Sequence, residues 1–344
     1  MPKPLPSPRE SAPRKLSLRV WIVTSVLAVV VLGVIEVSLR RAGFQSGPHD
    51  DDVFWVSHRI RVEQIGAKGI VCLGSSRSQA DIRVDQLREL TQRPVVQLAI
   101  AGSSPLPVLE DLAERSRFDG LIVLSISPHH AFSDRPDRIS KTMDWIARSH
   151  EANSSPGERL EIKMKIMVRD LVLLRQDFNW RTVANRYVIG GEPAYKEVFT
   201  KASRWKHFPD VMKGRRCGFQ IEIPEADQKL SNRDALIERY VAAVKAIETR
   251  GGKVIIIRPP STGKGNVAAG LVDTEKKRLP RSKFYQPLVK SCGVPAFHAE
   301  DIVGLEKLYG VDGSHLCNTD ARKYTDWLAR AINDLGRDSR SSAR

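Results

Sequence analysis

A chain of 344 residues, 41% hydrophobic and 28% charged, has ordinary globular composition and enough length for one large domain or two small ones. The net charge of +15 is not ordinary: Lys3, Arg9, Arg14, Lys15 and Arg19 at the front and Arg337, Arg340 and Arg344 at the back account for part of it. What remains suits an anionic partner such as lipid headgroups or an acidic polymer, while no nucleic-acid recognition motif accompanies it and no C-x-x-C pair or His cluster gives a metal site.

Residues 1–17 form a basic, Pro- and Ser-rich tail predicted to be disordered. Val20 to Ile35 then runs without a charge, and residues 18–39 reach the roughly 20 that cross a bilayer. Five basic residues precede the run, and Asp50-Asp51-Asp52 lies beyond it, which predicts a cytoplasmic N-terminus and an exported body. A cleaved signal peptide is the rival reading. The run is long for one, and no A-x-A-like site follows it. The expected location is the bacterial inner membrane, single-pass, with the body on the periplasmic or extracytoplasmic side.

Residues 40–66 read as a linker, and residues 67–335 as one α/β domain. Gly69–Leu73, Pro94–Ile100, Gly120–Ile126, Val254–Ile257 and Val294–Phe297 are short apolar runs of the kind found in strands buried on both faces. Helical spacing lies between them: Ala80 to Leu90, a helix opened by Pro105, another after a Ser231/Asp234 capping pair that Gly251-Gly252 ends, and a last helix from Asn318 or Thr319. This alternation predicts a parallel sheet covered by helices. Residues 135–230 break the rhythm and read as a mainly helical or irregular insertion or cap; residues 336–344 are a disordered tail. Cys72 falls in a core strand and reads as a small apolar residue. Pairing among Cys217, Cys292 and Cys317 is open, since an exported body permits disulfides.

Two motifs carry chemistry. Gly74-Ser75-Ser76-Arg77 follows the first strand, and Asp312-Gly313-Ser314-His315 precedes the last helix. Active sites of parallel sheets form at the carboxyl ends of strands. There Ser76 would supply a hydroxyl, His315 the base that a serine needs, and Asp312 the carboxylate that fixes the imidazole tautomer. Ser261-Thr262-Gly263-Lys264-Gly265 lacks the spacing of a phosphate loop and reads as a turn. The basic segment around Arg204, Trp205, Lys206 and His207 reads as a solvated loop, with contact to an anionic polysaccharide or lipid headgroups as its sharper alternative.

Together these blocks resemble the SGNH (GDSL-like) hydrolase superfamily over roughly residues 67–132 and 232–335. The resemblance implies a flavodoxin-like three-layer sandwich with a central parallel sheet. It makes Ser76 the nucleophile and Asp312 and His315 the D-x-x-H block, and it maps Gly102 to the glycine whose N–H, with that of Ser76, holds the oxyanion. The superfamily's third block ends in G-x-N-D. Here the third strand ends Ser125-Ile126-Ser127-Pro128-His129-His130, with Ser127 or His129 as replacements for the Asn donor. Arg77, His129, Arg204 and Trp205 are the expected substrate-binding residues, and no cofactor or metal is implied. The G-S-S-R form with an N-terminal anchor resembles a subgroup of bacterial envelope proteins that serve alginate acetylation and teichoic-acid D-alanylation. That implies acyl transfer or ester hydrolysis on a cell-surface polysaccharide, with a membrane-bound O-acyltransferase as partner. The alternative is a non-catalytic assembly or glycan-binding factor of the same fold.

Overall fold

The computed structural model describes residues 17–41, 50–133, 136–171, 199–208, 210, 232–261, 277–308, 310–311 and 314–341. The chain divides into two units, one holding the N-terminal helix and the other the α/β body. Helix α1 spans Leu18–Arg41, and its segment Leu18–Ser38 has a mean hydropathy of 2.5 with none of it buried. It is long and apolar enough to cross a membrane.

In the body, α2 (Asp52–Ile65) precedes β1 (Ile70–Leu73), α3 (Ser76–Asp81), α4 (Val84–Thr91) and β2 (Val95–Gln97). Then come α5 (Leu106–Arg115), β3 (Leu121–Ser125), α6 (Pro128–Ala131), α7 (Pro136–Ser154) and α8 (Pro156–Leu171). A small hairpin, β4 (Phe199–Thr200) with β5 (Lys206–His207), leads to α9 (Arg233–Thr249), β6 (Lys253–Arg258), α10 (Tyr285–Cys292), β7 (Ala296–His298) and α11 (Asn318–Ser341). The five long-range strands pair in parallel in the order β2-β1-β3-β6-β7. Counted along the chain that is the 2-1-3-4-5 order of doubly wound sheets, which reverses between β1 and β3.

The strands alternate between two cores. Val71, Leu73, Ile122, Leu124, Val254 and Ile256 face one helical layer, built from α2, α5, α7, α8, α9 and α10. Ile70, Cys72, Leu121, Val123, Ile255 and Ile257 face the other, where α4 and α11 pack. The body is therefore a three-layer α/β sandwich, as the strand–helix rhythm predicts. Continuous apolar runs result because both faces of every central strand are covered. Each large side chain fully buried here contributes roughly 1.5–3 kcal/mol.

Three expectations change. The 40–66 linker contains α2, whose Trp55, Val56 and Val62 are fully buried. Its apolar residues are interrupted by His58, Arg59 and Arg61, which hid the helical period. The 135–230 insertion begins with α7 and α8, whose Ile146, Ala152 and Ile162 belong to the layer shared with α2. Those two helices are part of the sandwich, while residues 172–198, 209 and 211–230 of the stretch lie outside the described residues. The expected 336–344 tail begins inside α11, which continues to Ser341. The N-cap of α9 is Asn232, and Ser231 of the expected capping pair lies outside the described residues. Cys72, Cys292 and Cys317 are buried free thiols, and Cys217 lies outside the described residues. Burial between the two layers pushes the Cys72 thiol up to about 12.

His298, ending β7, is held neutral. Burial, then the charges of Arg281 and Arg258, lower its pKa to about 4, and its Nδ1 accepts the Glu300 N–H at 3.2 Å, which requires a lone pair there. The folded protein thus binds fewer protons at this site than the unfolded chain, so its contribution is whole above pH ~6.5 and shrinks as pH falls toward 4. His298→Asn should flatten the acid limb of stability by less than ~1.4 kcal/mol per pH unit. Denaturant melts of both proteins between those pH values check this; parallel curves refute it.

Candidate active site

The crevice where the strand order reverses lies between the carboxyl ends of β1 and β3, and the first motif occupies it. Gly74 leaves β1 with φ 153°, and a Cβ there would stand 2.6 Å from Ser78 Cβ and 2.9 Å from Ser125 Cβ. Only glycine lets α3 and the end of β3 approach this closely. Ser75 is the N-cap of α3, and its hydroxyl donates to Ser127 Oγ at 3.2 Å. Ser76 opens the helix. Every residue from Gly69 to Ile82 is buried except Ser76. The packing that seals this segment leaves Ser76 half-exposed.

The second motif arrives from the other end of the chain. Ser314 and Leu316 are buried, and His315 between them is half-exposed. Both flanking residues are tied to α3: Arg77 Nε donates to Ser314 Oγ at 3.0 Å, and the Leu316 N–H donates to Asp81 Oδ1 at 2.9 Å. The segment folds back on itself, with the Val311 N–H on the His315 carbonyl at 2.7 Å and a bridge between Gly310 and Leu316. The imidazole stacks on Phe208, ring centroids 4.9 Å apart and planes 4° from parallel. Phe208 packs with Ala80, Val311 and Cys317, so α3, the hairpin's exit and the histidine loop share one small core. Asp210 fixes the start of α11 by accepting from the Thr319 N–H and hydroxyl at 2.8 and 2.7 Å. Burial pushes its carboxyl up, but bonds from Thr319, Cys317 and Asn318 outweigh that and hold its pKa below the ordinary value. Asp312 lies outside the described residues.

Gly102 sits two residues beyond Ile100, whose N–H donates to the Gly74 carbonyl at 3.1 Å. The stretch that leads to Gly102 therefore runs beside the Gly74 turn. Gly102 has φ 74° and half-exposed backbone, a left-handed conformation that favours glycine. At the end of β3, Ser127 is buried with its hydroxyl engaged by Ser75, and His129 is half-exposed beside His130, ring centroids 3.9 Å apart.

Three of the expected substrate-binding side chains are in the interior instead. Arg77 is 1% exposed and donates to Ser314 and, through Nη1, to Ser261 Oγ at 2.6 Å. Arg204 is 0% exposed, and its guanidinium donates to Asp50 and to the Gln97 and Ala99 carbonyls. Trp205 is buried, with Nε1 on the Ala80 carbonyl at 2.9 Å and Arg83 and Lys201 over its ring. A charged, aromatic stretch reads as solvated in sequence. Folding buries it because edge carbonyls of the sheet need donors. Sequence reasoning missed Asp50, Gln79, Asp81 and Gln97, which hold the loops from a distance and carry no local motif. Among the described residues no group of His, Cys, Asp and Glu could hold a metal ion.

No protein-family model matches the chain, and no curated protein matches it. Among solved structures, it is similar to a protein of Slackia heliotrinireducens assigned as an SGNH hydrolase: TM-score 0.37, 13% identity, covering 78% of this chain and 100% of that one. It is also similar to TesA, with TM-score 0.33, 11% identity, and coverage of 76% and 97% respectively.

Proposed function

We propose that the protein is a membrane-anchored serine acyltransferase or esterase that uses Ser76 as nucleophile and His315 as base, with Asp312 orienting the imidazole. The reading is carried by one observation: both residues flanking His315 are hydrogen-bonded to the helix that Ser76 opens, and Ser76 and His315 are the surface-reaching residues of their two buried segments. His315 would take the Ser76 proton as Oγ attacks an ester carbonyl, the N–H groups of Ser76 and Gly102 would hold the oxyanion, and the leaving alcohol would take the proton back from His315. A hydroxyl of an envelope polysaccharide, or water, then accepts the acyl group from Ser76. The apolar α1 and its basic flank support an anchor with the body outside the cytoplasm. The partner proposed there is a membrane-bound O-acyltransferase that supplies acyl groups.

Third-strand chemistry supports a second reading. The third strand ends without the superfamily's Asn, and of the two expected replacements Ser127 is buried and already engaged by Ser75, while His129 is half-exposed, which suits a glycan-binding assembly factor that does no catalysis. A fluorophosphonate probe separates the two. The full chain in detergent should be labelled at Ser76, and His315→Ala should slow labelling by about 10²-fold or more. Absence of labelling in the unsubstituted protein, with a polysaccharide still bound, establishes the assembly factor instead.

A further inference from the structure

The tip of the β4–β5 hairpin is built around one buried cation. Arg204 has φ 62°, a strained conformation for a side chain of its size, and its N–H closes a tight turn on the Lys201 carbonyl at 2.8 Å. Its guanidinium meets β2, the edge strand of the sheet. On the inner side of that strand, the Leu98 and Ile100 N–H groups donate to the Cys72 and Gly74 carbonyls of β1 at 2.9 and 3.1 Å. Alternate residues turn their carbonyls outward, and Nη1 and Nη2 of Arg204 reach two of these, Gln97 at 2.8 Å and Ala99 at 3.0 Å. One side chain thus stands in for the missing neighbouring strand over the residues that lead to Gly102.

The carboxylate beside the guanidinium is used as specifically. Arg204 Nε donates to Asp50 Oδ1 at 2.7 Å, and the other oxygen of that carboxylate accepts from Gln79 Nε2 at 2.6 Å. Gln79 lies on α3, three residues after Ser76. A third tie closes the frame: Gln97 Nε2 donates to the Ser78 carbonyl at 3.0 Å, while its Oε1 accepts the Ala99 N–H at 3.1 Å.

We infer that Arg204 and Asp50 form a positioning unit that sets the distance between the helix opened by Ser76 and the strand end carrying Gly102. The inference rests on the Ser76 chemistry proposed above. Neither residue touches the acyl group; they act through Gln97, Ala99 and Gln79. Asp50 lies two residues before α2, so the entry to that helix belongs to the framework of the site.

Arg204→Met, Arg204→Lys, Asp50→Asn and the double variant Asp50→Asn/Arg204→Met are compared in the full chain, using hydrolysis of an aryl acetate, thermal melting, and deuterium exchange of the peptide covering residues 98–104. A misplaced oxyanion donor lowers kcat without changing ground-state binding, so kcat should fall about 10–10²-fold with KM within about twofold. The double variant should be no worse than the poorer single one, as expected of residues acting as a unit. Exchange at 98–104 should quicken in each. If Arg204→Met does not fold, Arg204→Lys and Asp50→Asn carry the test, since a lysine cannot bridge two carbonyls and a carboxylate at once. Folded variants with unchanged kcat and unchanged exchange overturn the inference. Failure of the unsubstituted protein to turn over ester or label at Ser76 overturns the Ser76 reading instead, and quickened exchange in the variants still shows that Arg204 holds the loop.

Discussion

Replacing Ser76 with alanine should lower turnover of an aryl acetate by at least about 10³-fold and abolish fluorophosphonate labelling, while leaving the melting temperature within a degree or two of the parent. The size of the first effect follows from the role: without Oγ no acyl-enzyme forms, and only substrate binding and the oxyanion donors remain. The smallness of the second follows from its place. Ser76 opens α3 and is partly exposed where its neighbours are buried, and an alanine at such a position changes stability by about 0.5 kcal/mol or less. Steady-state kinetics and a thermal melt on the same preparation give both numbers. Wild-type turnover in a folded Ser76→Ala protein would falsify the nucleophile assignment.

Gly74→Ala should do the reverse, damaging the fold first and the chemistry as a consequence. The new methyl would lie 2.6 Å from Ser78 Cβ and 2.9 Å from Ser125 Cβ, with the Ser125 carbonyl oxygen at 3.2 Å. None of these is the free end of a flexible side chain, so α3 or the end of β3 must move. Overpacking of this kind costs ~1–3 kcal/mol, and φ 153° adds backbone strain for a residue with a Cβ. A total of about 3 kcal/mol corresponds to a fall in Tm of roughly 6–12 °C for a domain of this size. The movement would also part Ser75 from Ser127 and shift Ser76 relative to His315, so turnover should fall with it. An unchanged Tm would mean that this turn tolerates a side chain and that the glycine is incidental.

The strands were legible because each is a short apolar run closed by glycine, proline or a polar residue. The five predicted segments coincide with β1, β2, β3, β6 and β7 to within a few residues. The turn at Gly74 was legible for a related reason: it stands at a strand end, where backbone geometry restricts residue type. Helix α2 was not legible, because His58 and Arg59 interrupt its apolar face. His58 lies against the Phe54 and Ala202 carbonyls, and Arg59 donates to Asp111 at 2.7 Å, partners that sequence spacing does not announce. Arg77 and Arg204 were misread from the same cause. A guanidinium defaults to solvent unless acceptors distant in sequence converge on it.

By itself the sequence determined the short continuous apolar runs and the helical patterns, and with them a parallel sheet between two helical layers, as well as an apolar N-terminal helix of membrane-spanning length. Those are properties of neighbouring residues and of the water they avoid. Tertiary structure alone decided that the loop flanking His315 is fastened to the helix of Ser76, and that Arg204 braces an edge strand instead of facing a ligand. Hydrogen bonds between groups far apart along the chain form only after the sheet order has brought them within about 3 Å, and no local pattern encodes that distance.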